Sequence, residues 1–134
     1  MPLPALTEAF IRQAIDLLNA DDGLPAAAQG WVGDFGVTIV RASGALCVHL
    51  RAPVNGRFEP PAFISPEALA DEEVAYEARA DEDTFRGLIE GGLDPIAAIV
   101  QKRLWVRGNL QPIIARLNHR GLAERWLEKL RTGG

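Results

Sequence analysis

Apolar positions recur at helical spacing near the start of the chain. Between Thr7 and Asp21 they stand three and four positions apart, which predicts an amphipathic helix whose first turn the Thr7 hydroxyl caps. A further helical turn is expected over 24–29, because Pro25 fits the first turn of a helix. The apolar face of the longer helix comprises Leu6, Phe10, Ala14, Leu17 and Leu18.

Alternation replaces helical spacing in the next part of the chain. Every second residue is apolar over 35–39 and again over 46–50, with the turn-forming Gly44 between them. This pattern predicts an antiparallel hairpin with one buried face. Pro60-Pro61 makes any strand beside them an edge strand or an irregular one, because proline cannot donate to a sheet. Residues 74–80 alternate as a fourth strand.

Two short helices are predicted between residues 81 and 100. Asp81 and Asp94 are each placed to cap a helix, and Pro95 fits the first turn of the second. The first helix is expected to end at Gly91-Gly92, since glycine adopts the left-handed conformation of a C-terminal turn. The apolar face of the first helix comprises Phe85, Leu88 and Ile89, and that of the second comprises Ile96, Ile99 and Val100.

The remainder of the chain predicts a strand and two further helices. Residues 104–107 alternate as a half-buried strand, and Gly121 separates the two helices. Their apolar faces comprise Leu110, Ile113, Ile114 and Leu117 in the first, and Leu122, Trp126, Leu127 and Leu130 in the second. The order of elements predicts a single α+β domain over 1–134, with one sheet and helices gathered over a face.

Composition and charge narrow the class of protein. The 134 residues are 48% hydrophobic and 24% charged, as in ordinary globular domains, and the net charge of −4 disfavours nucleic acid as a partner. The single cysteine, Cys47, excludes an internal disulfide and fits a reducing compartment. No stretch approaches the ~20 apolar residues of a transmembrane helix, and the N-terminus lacks a signal-peptide pattern. We therefore expect a cytoplasmic location.

Candidates for catalysis are few. His49 and His119 have no second ligand at metal-binding spacing, and neither serine lies in a Gly-x-Ser-x-Gly motif. Cys47 and His49 share a strand face, but residues two apart in a strand are separated by about 7 Å. We therefore expect a non-enzymatic protein with no catalytic residue, no metal site and no cofactor.

The stretch from residue 81 to 109 resembles the sterol carrier protein-2 family, whose domains bind and carry lipids. The family pattern is an acidic helix start and a phenylalanine, then Gly-x-Leu-x-Pro-x-x-Ala, a Gln-Gly-Lys-Leu-type strand start, and Gly-Asn or Gly-Asp. Here the matching segments are 81–85, 91–98, 101–104 and 108–109. Lys102 replaces the usual glycine, and the resulting Gln-basic-basic-Leu form is similar to that of the bacterial branch that assists ubiquinone biosynthesis.

The resemblance implies a lipid-binding domain with five strands in a mainly antiparallel sheet, about five helices, and an apolar cavity between the sheet and the helices of 81–131. A fatty acyl, sterol-like or prenylated quinone ligand fits such a cavity, and transient contact with a membrane or an enzyme is expected. The predicted lipid-binding residues are Phe85, Leu88, Ile96, Ile99, Val100, Gln101, Leu110, Ile113, Ile114, Leu117, Leu122, Trp126 and Leu130.

Two alternatives remain open at this stage. The apolar helix faces can simply pack on one another, because stripes at helical spacing are usually core. The chain would then be an interaction subunit or scaffold with a collapsed cavity that assists a lipid or quinone biosynthetic enzyme. Trp126 is interpreted either as part of a helix that gates the cavity mouth, as the resemblance implies, or as a core residue.

Overall fold

The computed structural model of the protein describes residues 5–31, 33–109 and 121–132. Within these ranges it has five β-strands in one mixed, mostly antiparallel sheet and six α-helices. The predicted α+β class and five-stranded sheet are therefore confirmed. No helix in the described ranges is long and apolar enough to cross a membrane.

The elements follow the predicted order along the chain. The helices are α1 Glu8–Asn19, α2 Leu24–Ala27, α3 Pro66–Ala70, α4 Glu82–Glu90, α5 Pro95–Val100 and α6 Leu122–Thr132. The strands are β1 Phe35–Arg41, β2 Gly44–Leu50, β3 Ala62–Ile64, β4 Tyr76–Asp81 and β5 Trp105–Arg107. A short 3-10 turn, Ala28–Gly30, continues α2.

Side-chain caps begin three helices at the predicted residues. The side chains of Thr7, Asp81 and Asp94 each accept a hydrogen bond from the backbone N–H three residues further on, at 3.2, 2.7 and 3.0 Å. Each bond satisfies a donor that has no partner within its own helix. Gly91 ends α4 with a φ of 85°, the left-handed conformation predicted for it.

The sheet places β1 at its centre, in the order β3-β2-β1-β4-β5. β1 pairs with β2 as an antiparallel hairpin and with β4 as a parallel neighbour, so that Val37 lies between Val48 and Ala78. The short strand β3 forms one edge, as the adjacent prolines predicted, and β5 forms the other. Both exterior strands are three residues long, which limits the unpaired edge.

One face of the sheet carries the apolar residues predicted for the hairpin. Ile39, Leu46 and Val48 are buried there against Phe10 of α1 and Leu130 of α6. Half-buried side chains of α4 pack against the same cluster. Helices from both ends of the described chain therefore meet on this face.

The opposite face of the hairpin is also covered, so the prediction of one buried face was wrong. Cys47 is 1% exposed and packs with Leu69 of α3 and with Val74. Thr38 and His49 on that face are buried too. The alternating polar residues indicated a solvent-facing side, but the short helix α3 packs on β2 over Cys47, and Asp34 pairs with His49.

Candidate functional site

An apolar cavity of about 270 Å³ lies between α1, the sheet and α6. α1 and the sheet contribute Phe10, Ile11, Ala14, Ile15, Leu18, Phe35, Val37, Val48 and Leu50 to its wall. The other wall residues are Trp31, Phe58, Ile89, Trp126, Leu127 and Leu130. A space lined by aliphatic and aromatic side chains gives water few partners and favours hydrocarbon.

The spacing of residues in α1 produces one wall of the cavity. Its contributing residues stand three and four positions apart and therefore share a helix face. The sequence predicted three of them, Phe10, Ala14 and Leu18, as the apolar face of this helix. It did not predict that the face borders an empty space, because a wall residue and a core residue show the same periodicity.

Aromatic side chains form another part of the wall. The ring of Trp31 lies 5.6 Å from that of Phe58 and 6.0 Å from that of Phe35. The side-chain amide of Asn19 fixes the Phe58 backbone, donating to its carbonyl and accepting from its N–H at 2.8 Å each. The last residue of α1 thus positions a loop residue on the cavity wall, a contact between sites 39 positions apart that no local pattern indicates.

Trp126 of α6 links that helix to α1 across the cavity. Its indole N–H donates to the backbone carbonyl of Ala14 at 2.8 Å, and both residues line the cavity. The residue is half-buried. This placement is compatible with the gating interpretation, because moving α6 outward would break the hydrogen bond and open the wall.

An ion pair next to Trp126 provides a second link between α6 and the start of the fold. Arg125 donates from Nε and Nη2 to the two carboxylate oxygens of Asp21, at 2.9 and 2.8 Å. The hydrogen bond from Arg125 lowers the pKa of Asp21 more than burial raises it, and a further bond from the Gly23 N–H acts in the same direction. We refer to the Asp21–Arg125 pair as the latch.

The latch predicts a pH-dependent contribution to stability. Because the folded-state pKa of Asp21 is below its ordinary value of 3.8, the contribution is fully present above that pH and is lost as pH falls through the folded-state pKa. Asp21→Asn keeps an acceptor for Gly23 but removes the charge. We expect its urea midpoint to lie below that of the wild type at pH 6 and to approach it as the pH falls below 3.8. A gap that stays constant over this range would contradict the assignment.

Two of the predicted lipid-binding residues, Trp126 and Leu130, line the cavity. Leu122 is buried beside the wall, in the cluster that contains Trp31. Leu88 packs in the region where α4 meets Ala98 and Leu104, and Phe85 lies between that region and the cluster of Phe10 and Leu130 without lining the cavity. Four further predicted residues, Leu110, Ile113, Ile114 and Leu117, lie outside the described residues.

The apolar face of α5 points away from the fold, contrary to its predicted place in the cavity. Ile96, Ile99 and Val100 are 71%, 40% and 75% exposed, whereas Ala98 on the other side of the helix is completely buried. Gln101 is also exposed. The small Ala98 packs in a cluster with Ala80 and Leu104, a close approach that a larger residue would prevent. Periodicity identified an apolar face but could not decide which side of the helix docks.

The polar cluster on the opposite sheet face gives His49 a structural role. His49 Nε2 donates to Asp34 Oδ2 at 2.9 Å, and Asp34 Oδ1 accepts from the Ala52 N–H at 2.9 Å. Burial has the largest single effect and raises the pKa of Asp34, but these two hydrogen bonds and the nearby positive charge together outweigh it, so the pKa lies below its ordinary value. The pair therefore ties β2 to the segments on either side of the hairpin. The neighbouring Cys47 is buried, with its Sγ 3.6 Å from Thr38 Oγ1.

Two larger depressions lie elsewhere on the molecule and differ from the cavity in being lined partly by charged residues. One, of about 520 Å³, is lined in part by Glu77, Arg79 and Arg107, and the other, of about 640 Å³, by Asp34, Glu72, Glu73 and Arg107 among others. Charged walls of this kind hold water well. The smaller cavity is the better candidate for binding an apolar molecule, because its lining is entirely apolar.

Comparison with known proteins identifies structural relatives of the chain. No protein-family model and no curated protein sequence matches it. A solved structure of a conserved hypothetical protein from Thermus thermophilus, described as possibly a sterol carrier protein, is similar over 97% of this chain and 90% of its own, with 20% identity and a TM-score of 0.64.

Two further structures carry more specific names. A crystal structure of sterol carrier protein 2 has 19% identity and a TM-score of 0.64, and the similarity covers 93% of this chain and 95% of the other. A structure named UbiJ-SCP2 ubiquinone synthesis protein has 16% identity and a TM-score of 0.58, with 94% and 95% covered. The predicted fold is thus confirmed, and the chain has the fold of the sterol carrier protein 2 structures.

Proposed function

We propose that the protein binds a hydrophobic lipid, without chemical conversion, in the cavity between α1, the sheet and α6. The observation that carries the proposal is the cavity itself, with fifteen lining residues that are all aliphatic or aromatic. The similarity to structures named for sterol carriage and ubiquinone synthesis supports a lipid as the ligand. Fatty acyl, sterol-like and prenylated quinone molecules all fall within this class.

The size of the cavity limits how much of a ligand it accepts without rearrangement. Its volume of 270 Å³ equals that of about nine water molecules, each of which takes up ~30 Å³ in the liquid. Ligand sites usually enclose about 300–1,000 Å³. We therefore propose that the cavity accommodates a short apolar segment as it stands, and that a longer tail enters by displacing α6.

The contacts of α6 determine the cost of this movement. An outward shift of the helix breaks the Trp126–Ala14 hydrogen bond and the latch, both of which bind α6 to the first part of the chain. Water replaces these polar contacts on opening, so each costs only about 0.5–1.5 kcal/mol, but a full displacement would also expose the buried Leu122 and Leu130, at about 1.5–3 kcal/mol each. We propose that α6 is the element that opens for ligand entry and release.

Native mass spectrometry of freshly purified protein tests the proposal. We expect adducts of a few hundred daltons that disappear on delipidation and return when the protein is incubated with a fatty acid or a prenylated quinone. The matched control is Ala14→Phe, which fills the cavity from α1. A bare mass for the wild type, before and after such incubation, would exclude carriage of these ligands.

A second candidate function is supported by the exposed face of α5. Three branched aliphatic side chains in one six-residue helix face solvent, and Lys102 and Arg103 follow them at the surface. Such a patch is typical of an interaction site. The corresponding function is that of an accessory subunit which docks a lipid or quinone biosynthetic enzyme, or transiently a membrane, through this face.

The two functions are separated by a double variant at the α5 surface. Ile96→Ser with Val100→Ser removes the exposed aliphatic groups without touching the cavity wall. A carrier that acts alone should retain both ligand uptake and lipid transfer between vesicles in this variant. Loss of transfer with retained uptake would favour a docking role for α5 in addition to carriage.

A further inference from the structure

The short helix α5 holds three aliphatic side chains in contact with water. Of the six large hydrophobic residues that are exposed in the described chain, half belong to this helix. Ile96, Ile99 and Val100 stand three and four positions apart, so their side chains share one side of the helix. Ala98 on the other side is completely buried and fixes this orientation. Contact with a second apolar surface would remove the aliphatic groups from water and is therefore favourable.

The turn that follows α5 places a lysine beside this face. The N–H of Lys102 donates to the Ile99 carbonyl at 3.0 Å, and the N–H of Arg103 donates to the Ala98 carbonyl at 2.9 Å. This pair of bonds closes the end of a helix as in a Schellman motif. Lys102 has a φ of 60°, the left-handed conformation that glycine usually adopts at this position of the motif. A bulky residue in such a strained conformation favours a functional role for its side chain.

The charge of this region is opposite to that of the whole chain. Residues 95–109 contain no Asp or Glu, whereas the net charge of the protein is −4. Lys102 is exposed and forms no ion pair with a described residue. Arg103 is exposed as well and interacts electrostatically with Asp81. The nearest preceding carboxylate, that of Asp94, caps the opposite end of α5. The region is therefore complementary to an anionic partner.

We propose that the α5 patch, which comprises Ile96, Ile99, Val100, Lys102 and Arg103, docks on the surface of an anionic lipid bilayer. The inference rests on the docking function given above for α5 and names its partner, and it does not require a ligand in the cavity. The aliphatic side chains enter the boundary between head groups and acyl chains, and the basic side chains are attracted by the anionic head groups.

The size of the α5 patch favours a bilayer over a protein as its partner. A specific protein interface involves about 20–30 residues on each side, with a shape that fits the partner. The α5 patch has five residues, three of them in a single six-residue helix. A fluid bilayer rearranges around a small apolar projection and needs no fitted surface, so a patch of this size is sufficient for reversible contact.

Co-sedimentation with lipid vesicles tests the proposal. We expect the wild type to bind vesicles made of equal parts phosphatidylglycerol and phosphatidylcholine, and to bind phosphatidylcholine vesicles much more weakly. Added salt should reduce this difference, because it screens the attraction to the anionic lipid. Ile96→Ser with Val100→Ser should weaken binding to the mixed vesicles about tenfold or more, since two aliphatic side chains no longer leave water.

Lys102→Gly separates the charge of this residue from its structural role. Glycine fits the left-handed conformation, so the urea midpoint should rise or stay unchanged. Binding to the mixed vesicles should nevertheless fall about fivefold, the value of one basic residue near an anionic surface. The control Arg57→Gln removes an equal charge from an exposed turn and should change binding less than about twofold.

Three results would overturn the proposal. They are a wild type that binds neither kind of vesicle, equal binding to both kinds, and full binding by the serine double variant. A dimer or protein complex that the serine double variant dissociates, without vesicle binding, would assign the α5 patch to a protein partner instead. Binding of n-butylbenzene should be unchanged in all these variants. Its absence from the wild type would overturn the cavity function and leave the membrane contact standing.

Discussion

Ala14→Phe should abolish binding of apolar ligands while the protein stays folded. Ala14 lines the cavity from α1 and is buried, so the phenyl ring of the new residue can be placed only in the cavity. Enlarging a residue in a filled core costs about 1–3 kcal/mol of folding free energy. Because a void is present here, we expect a loss below about 1 kcal/mol, together with at least tenfold weaker binding of n-butylbenzene.

The measurement combines calorimetric titration with urea unfolding of the same preparation. Ile96→Phe provides the control, since it enlarges an exposed residue of α5 and should change neither quantity. If Ala14→Phe instead unfolds the domain and Ile96→Phe does not, the space around α1 is filled core and the cavity does not exist in solution.

Trp126→Ala should give the largest combined effect on stability and ligand exchange. Removing the ring deletes packing against the α1 side of the cavity and the bond to the Ala14 carbonyl. Because the side chain is only half-buried, we expect a loss of about 3 kcal/mol, at the lower end for an aromatic-to-alanine change. Ligand dissociation, followed by stopped-flow displacement, should accelerate at least tenfold.

Trp126→Phe separates the two contributions of this side chain. It retains an aromatic ring against α1 and removes the hydrogen bond alone, so we expect a loss of about 1 kcal/mol and a small change in dissociation rate. A Trp126→Ala variant that releases ligand at the wild-type rate would show that α6 is not the opening element, even if its stability is reduced.

Local signals in the sequence were sufficient to predict most of the framework. The caps at Thr7, Asp81 and Asp94 and the left-handed Gly91 depend on chemistry within one turn, so each could be assigned from its neighbours. The hairpin could be predicted because alternation and a glycine turn are local signals, although they did not indicate that its second face is covered as well. The resemblance to a known family supplied the expectation of a cavity, which periodicity does not contain.

The position of the cavity depended on contacts that local patterns do not encode. The segment 81–100 carries the clearest apolar stripes, yet Ile96 and Val100 face solvent because the small Ala98 allows the closer approach to the sheet. The latch joins residues 104 positions apart. Trp31 lies both in a buried cluster with Phe58 and on the cavity wall, a placement that no local pattern indicates.

The central claim is that an apolar ligand occupies the space between α1, the sheet and α6. Transfer of magnetisation from bound n-butylbenzene to protein methyl groups tests this most directly, because it identifies the side chains that contact the ligand. We predict signals at Val37, Val48 and Leu130, and none at Ile96 or Val100. Contacts confined to the α5 methyl groups, with none on the cavity wall, would contradict the account.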